Sequence, residues 1–147
     1  MKKLILFALL TTILSSCGVT SSLYYWGGNT NGTTKYEALA YKHYDKQTPE
    51  SICQLICVYE DMVTNPTGTR KVPPPGICAE YAYLVSQPEI VQTFIDNAKP
   101  NQKSRFDTKD FAAYFPERAK QLFEKEMELY PESVTFILPL FNKIQNR

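Results

Sequence analysis

A chain of 147 residues, 44% hydrophobic, with 16 basic against 15 acidic side chains and a single histidine, has the size of one domain and no charge excess to attract nucleic acid. Its Lys and Arg residues are scattered, so attachment to an anionic lipid surface by charge alone is excluded with it.

The first predicted element is a targeting segment. Lys2 and Lys3 precede an apolar run from Leu4 to Leu14, which is short of the roughly 20 apolar residues that a spanning helix needs. Leu14-Ser15-Ser16-Cys17 follows, and this order resembles the lipobox of bacterial lipoproteins. The resemblance implies cleavage after Ser16 and lipidation of Cys17, with three acyl chains on the mature N-terminus. Two or more chains anchor stably, because each buried methylene contributes about 0.8 kcal/mol. Gly18 and Val19, with no aspartate after the cysteine, imply by the same resemblance the outer membrane of a two-membrane cell, facing the periplasm. Loss of Lys2 and Lys3 leaves 14 basic against 15 acidic side chains.

Residues 17–34, rich in Gly, Ser, Thr and Asn, are expected to form a lipidated flexible tether. Leu23-Tyr24-Tyr25-Trp26 interrupts it, and Tyr25 and Trp26 are read as anchors that pack on the domain or sit at the lipid interface, packing being preferred. Tyr36, Leu39, Ala40 and His43 then predict a short helix over 35–44. Thr48-Pro49-Glu50 is a helix start: a side-chain acceptor, a proline at the first helical position, and an acid against the dipole. The stripe from Ile52 to Val63 runs until Asn65-Pro66 stops it.

Val72-Pro73-Pro74-Pro75-Gly76 must be extended, since three prolines cannot lie inside a helix. Ile77, Tyr81, Leu84 and Val85 give a third stripe ending at Gln87-Pro88. Residues 88–110 read as an insertion, with a short helix around Ile90 to Ile95 and a mobile loop over Lys99–Ser104. From Pro116, Ala119, Leu122, Phe123, Met127 and Tyr130 make one face and Glu117, Lys120, Glu124, Lys125 and Glu128 the other. A last helix is expected over Val134 to Gln145, with a kink or a later start at Pro139. No segment alternates as a hairpin would, so the expected fold is all-α, about five helices in stacked antiparallel hairpins.

With Cys17 lipidated, Cys53, Cys57 and Cys78 remain in a compartment that permits disulfides. Cys53 and Cys57 share a helix face, so either could pair with Cys78; the other reading is three small buried apolar residues. Structural zinc wants four ligands, so no metal site is expected. No Gly-x-Ser-x-Gly elbow, glycine-rich phosphate loop or nucleophile with a base stands out, so neither an enzyme, a cofactor nor a small-molecule substrate is expected. Glu80 beside Tyr81 and Tyr83 is the leading candidate among the acids, either half-buried with a shifted pKa or a helix-face acid or core hydrogen-bond partner.

Ala119, Phe123 and Pro131 stand at the spacing of the second half of the tetratricopeptide pattern, and Tyr81 and Leu84 at the Trp and Leu positions of its first half. Val85 and Pro88 depart from it, and the interval from Val85 to Ala119 is longer than a repeat by about 22 residues. The domain over 35–147 is therefore TPR-like, not a repeat array. Together, Tyr25-Trp26-Gly27, Val72-Pro73-Pro74-Pro75-Gly76, Ala79-Glu80-Tyr81 and Leu129-Tyr130-Pro131-Glu132-Ser133 resemble a family of small Gram-negative outer-membrane lipoproteins with a domain of unknown function. The resemblance implies an envelope complex containing a lipoprotein that resembles the curli secretion channel, and no catalytic residue. The expected function is a lipid-anchored helical interaction scaffold; the alternative is a protein that binds peptidoglycan or another glycan through its Tyr and Trp rings.

Overall fold

The computed structural model describes residues 22–145, so the signal segment 1–16, Cys17 and residues 18–21 lie outside it. The described chain is mostly helical: β1 (Asn29–Thr30), β2 (Thr33–Thr34), α1 (Lys35–Lys46), α2 (Pro49–Thr64), α3 (Ile77–Val85), α4 (Pro88–Asn97), α5 (Pro100–Lys103), α6 (Phe111–Leu129), a 3-10 turn (Pro131–Ser133) and α7 (Val134–Gln145).

Local chemistry sets the helix starts. Thr34 accepts from the Glu37 N–H at the start of α1, and Thr48 from the Ser51 N–H at the start of α2, where Pro49 occupies the first turn. Asp110 accepts from the Ala113 N–H at the start of α6. That cap moves the start of α6 to Phe111, five residues ahead of the expected Pro116. Proline there removes one backbone donor, but Phe111 and Phe115, both just ahead of it, are buried and hold the first turn. Pro139 likewise lies inside α7, which begins at Val134 behind the 3-10 turn.

The stretch 88–110 is not a loop. Phe94 meets Phe106, Phe111 and Phe115 edge-on, with ring centroids 5.2–5.4 Å apart, and all four are buried. Burying each ring is worth about 1.5–3 kcal/mol, enough to order the short segment between them despite its polar composition. Lys99–Ser104, expected to be mobile, instead carries the one-turn α5; the Gln102 side chain accepts from the Lys99 N–H, and Lys103 Nζ donates to the Ile95 carbonyl near the end of α4. The rest of the core is α2, α3 and α6, with Ile56, Met62, Ile77, Val85, Leu122 and Phe123 essentially inaccessible. Among the described residues α1 buries no side chain completely; it packs on α2, and α7 packs on α6.

The end of the expected tether is also ordered. Thr30-Asn31-Gly32-Thr33 forms a two-residue hairpin with φ of 53° at Asn31 and 82° at Gly32, so a small antiparallel pair stands where none was expected. The Asn-Gly dipeptide was the available signal. Downstream, the Lys35 N–H donates to the Gly28 carbonyl and the Tyr36 N–H to the Trp26 carbonyl, locking the segment to the head of α1. Gly27 is buried at φ 76°, and a Cβ there would stand 2.7 Å from Val58 Cγ1. Gly27→Ala should therefore cost about 1–3 kcal/mol, read as faster amide hydrogen exchange across residues 24–36 while the α2–α6 core keeps its protection.

Candidate functional site

Trp26, Glu80 and Tyr81 come together around one chain of aromatic rings, while Tyr25 reaches Asp61 on α2 instead. Trp26 lies 5.5 Å from Tyr36, Tyr36 5.7 Å from Tyr59, and Tyr59 stacks on Tyr81 at 5.5 Å with planes 10° apart. Glu80 Oε2 accepts from the hydroxyls of Tyr36 (2.6 Å) and Tyr59 (2.8 Å). Tyr25 donates to Asp61 Oδ2 at 2.7 Å, and burial together with that carboxylate pushes its phenol up to about 12. Burial and Glu80 raise Tyr36 and Tyr59 as well. These rings are protonated donors at neutral pH. The cluster fastens residues 25–36 to α2 and α3, and Glu80 itself remains on the exposed side of α3.

The buried acids are elsewhere. Glu60 on α2, only 6% exposed, accepts from the Tyr81 hydroxyl at 2.8 Å and takes two hydrogen bonds from Arg118 on α6, at 2.7 and 3.4 Å. Glu126 on α6, 1% exposed, accepts from the Gly76 N–H at 2.7 Å and the Cys78 N–H at 3.2 Å. It thereby caps α3 from another helix, since Gly76 has no side chain to do so. One turn later the Tyr130 hydroxyl donates to the Pro73 carbonyl at 2.6 Å. The proline strap and the Leu129-Tyr130-Pro131 segment are thus two halves of one clamp. Sequence reasoning missed Glu60, Glu126 and Arg118. The signal was present: Glu60 lies four residues after Ile56, and Glu126 four after Leu122, each an acid on an apolar stripe.

Cys53, Cys57 and Cys78 are free and buried, without a disulfide among them. Desolvation pushes Cys57 up to about 11 and Cys78 up to about 12, so both are thiols, not nucleophilic thiolates, at neutral pH. Since their unfolded pKa is about 8.5, the folded chain holds these protons more tightly, and their contribution to stability is lost as pH rises above about 8.5. A thiol reagent at about pH 8 should leave all three described cysteines unmodified until denaturant is added, and the denaturation midpoint should fall between about pH 8 and pH 10.

Beside the clasp lies a groove of about 260 Å³, lined by Lys35, Leu39, Cys57, Asp61, Gln102 and Arg105 among others. A wider open cleft of about 610 Å³ runs past Ile95, Lys103, Phe106 and Lys109. The groove offers two cations, a carboxylate already engaged by Tyr25, and a protonated thiol. Such a set holds a polar group by hydrogen bonds. Among the described residues no three His, Cys, Asp or Glu side chains converge as metal ligands, and no helix is long and apolar enough to cross a membrane.

Comparison with family models, curated proteins and solved structures gives no match to this chain.

The surface adds a second kind of feature. Tyr41 and Tyr44 on α1 are 77% and 78% exposed, and Phe136 on α7 is 81% exposed. Leu138 is exposed on the same helix, whose buried side is already supplied by Ile137 and Phe141.

Proposed function

We propose that this chain is a lipoprotein, acylated at Cys17 and held at the outer membrane facing the periplasm, that acts as a non-catalytic helical scaffold for a protein partner. The observation that carries the scaffold reading is Phe136 on α7, 81% exposed although Ile137 and Phe141 already supply the buried stripe of the helix, with Leu138 exposed on the far edge of that stripe. Large apolar side chains left on a terminal helix are what a neighbouring protein surface buries. The TPR-like reading belongs here too. Ala119 and Phe123 are inaccessible at their pattern positions, and α3 meets α6 with its start beside Glu126 and its middle, through Glu60, beside Arg118. That antiparallel sense is what a helical hairpin interrupted by 88–110 requires. The partner favoured by the motif resemblance is an envelope lipoprotein similar to the curli secretion channel.

A photo-crosslinking residue at position 136, introduced into the full chain in intact envelopes, tests the proposal. The expected result is one discrete adduct with an outer-membrane lipoprotein, weakened in Cys17→Ala and lost when the crosslinker is moved to the groove. A second reading, glycan binding, is favoured by the exposed rings of Tyr41 and Tyr44, which can stack on sugars. Co-sedimentation with purified peptidoglycan that Tyr41→Ala and Tyr44→Ala abolish, without any protein adduct, would replace the scaffold reading with that one.

A further inference from the structure

We infer that the face formed by Leu23, Tyr24, Arg70 and Lys71 lies against the phospholipid headgroups of the membrane in which Cys17 is anchored. This rests on the proposed acylation of Cys17 and adds to it an orientation. Its starting point is where the leash ends. The Ser22 carbonyl accepts from the Thr69 N–H at 3.1 Å and the Thr69 hydroxyl at 2.9 Å, and the Leu23 carbonyl accepts from the Arg70 N–H at 3.0 Å. Gly68 lies so close beneath that a Cβ on it would stand 2.5 Å from Tyr24 Cα. The chain is thus bound to the folded body from residue 22 onward.

Five peptide steps separate Cys17 from Ser22, a reach of at most about 18 Å. A folded body of this size has a radius of gyration of about 14 Å, hence a diameter of about 35 Å. A leash half as long as the body is wide lets only the hemisphere around Ser22 touch the bilayer.

The side chains on that hemisphere suit the headgroup layer. Leu23 is 61% exposed. Tyr24 lies under the Arg70 guanidinium, 5.7 Å from ring centroid to carbon, and its hydroxyl accepts from Arg70 Nη1 at 2.7 Å. Arginine has five N–H donors, so most of them remain for phosphate oxygens. Lys71 is exposed, and neither cation forms an ion pair among the described residues. No acid occurs in residues 22–24 or 67–72. An apolar side chain, a tyrosine and two cations make up the mixture favoured at a membrane interface. Two cations are too few to attach a protein; with acyl chains already holding it, they need only orient it.

The test uses the full chain carrying Leu23→Cys, processed in cells, purified with its lipid and reconstituted into vesicles of phosphatidylethanolamine and phosphatidylglycerol. An environment-sensitive thiol fluorophore reports residue 23, because Cys53, Cys57 and Cys78 are buried. Lys71→Cys supplies an independent position should the first substitution disturb the strap. The expected result is a blue-shifted emission at both positions, quenched by headgroup-proximal nitroxide lipids, and lost when a Gly-Ser insert of about 20 residues after residue 21 lengthens the leash. The mass of the Cys17 peptide and vesicle flotation report the anchor separately. Unshifted emission from acylated, floating protein overturns the orientation and leaves the anchor standing; an unacylated Cys17 overturns both. A shift that survives the insertion unchanged overturns the leash as its cause.

Discussion

Arg118→Met is expected to destabilise the fold by about 3–5 kcal/mol at neutral pH, because it leaves the Glu60 carboxylate buried with its charge uncompensated. The side chains of Arg118 and Glu60 are 21% and 8% exposed, so water screens the pair little. The companion expectation is that Glu60→Leu combined with Arg118→Met and Tyr81→Phe recovers most of that loss, since a packed apolar trio can replace a buried ion pair and its phenol partner at little cost. Urea denaturation of the single and triple variants, with unchanged slope, measures both. A loss below about 1 kcal/mol for the single change would mean that Glu60 is solvated and that the network is ornamental.

Glu126→Ala is the second large change. It strips the acceptor from two N–H groups at the start of α3 and opens a cavity between α3 and α6. At about 1–3 kcal/mol for each orphaned donor, the expected cost is about 3 kcal/mol, a drop of about 10 °C in the thermal midpoint. The pH dependence has a definite sign. Burial raises the Glu126 carboxyl above the usual range, while the backbone N–H groups of Gly76, Ala79 and Cys78 pull it back. The folded state therefore binds this proton more tightly than the unfolded chain, and the contribution of this group to stability grows as pH falls toward its unfolded value. Glu126→Gln should remove that rise while retaining the shape of the site, which a thermal series across the acid range would reveal.

The elements with one strong periodic stripe and a chemical start signal were legible in the sequence. Thr48-Pro49-Glu50 marked α2 to the residue, and the Ile77 stripe marked α3. The failures share a physical cause: tertiary burial overrode local composition. Phe106 and Phe111 order a stretch whose prolines, lysines and asparagines read as a loop, and Pro116 is carried inside α6 because Asp110 caps the helix ahead of it. The clasped segment from Ser22 to Thr34 was read as slack for the same reason, since its Gly and Thr content says nothing of the strap and helices it meets. Tyr25, Trp26, Glu80 and Tyr81 were conspicuous in the sequence because aromatic rings lie at or beside them. Their connection to Arg118 was not, because it spans 58 residues between Glu60 and Arg118 and no local pattern carries it.

The clamp formed by Glu126 and Tyr130 has a temporal consequence. Its bonds to Gly76 and Pro73 reach across 50 and 57 residues. A chain that emerges N-terminus first from a ribosome can wind α2 and α3 as soon as they are free, yet Glu60 lacks its arginine until Arg118 of α6 arrives, and α3 stays uncapped until Glu126 does. Loop closure over such distances slows folding relative to a bundle built from neighbouring turns. Closure of the clamp is therefore expected as a late folding step, after α2 and α3 have wound and while the N–H groups at the start of α3 still face water.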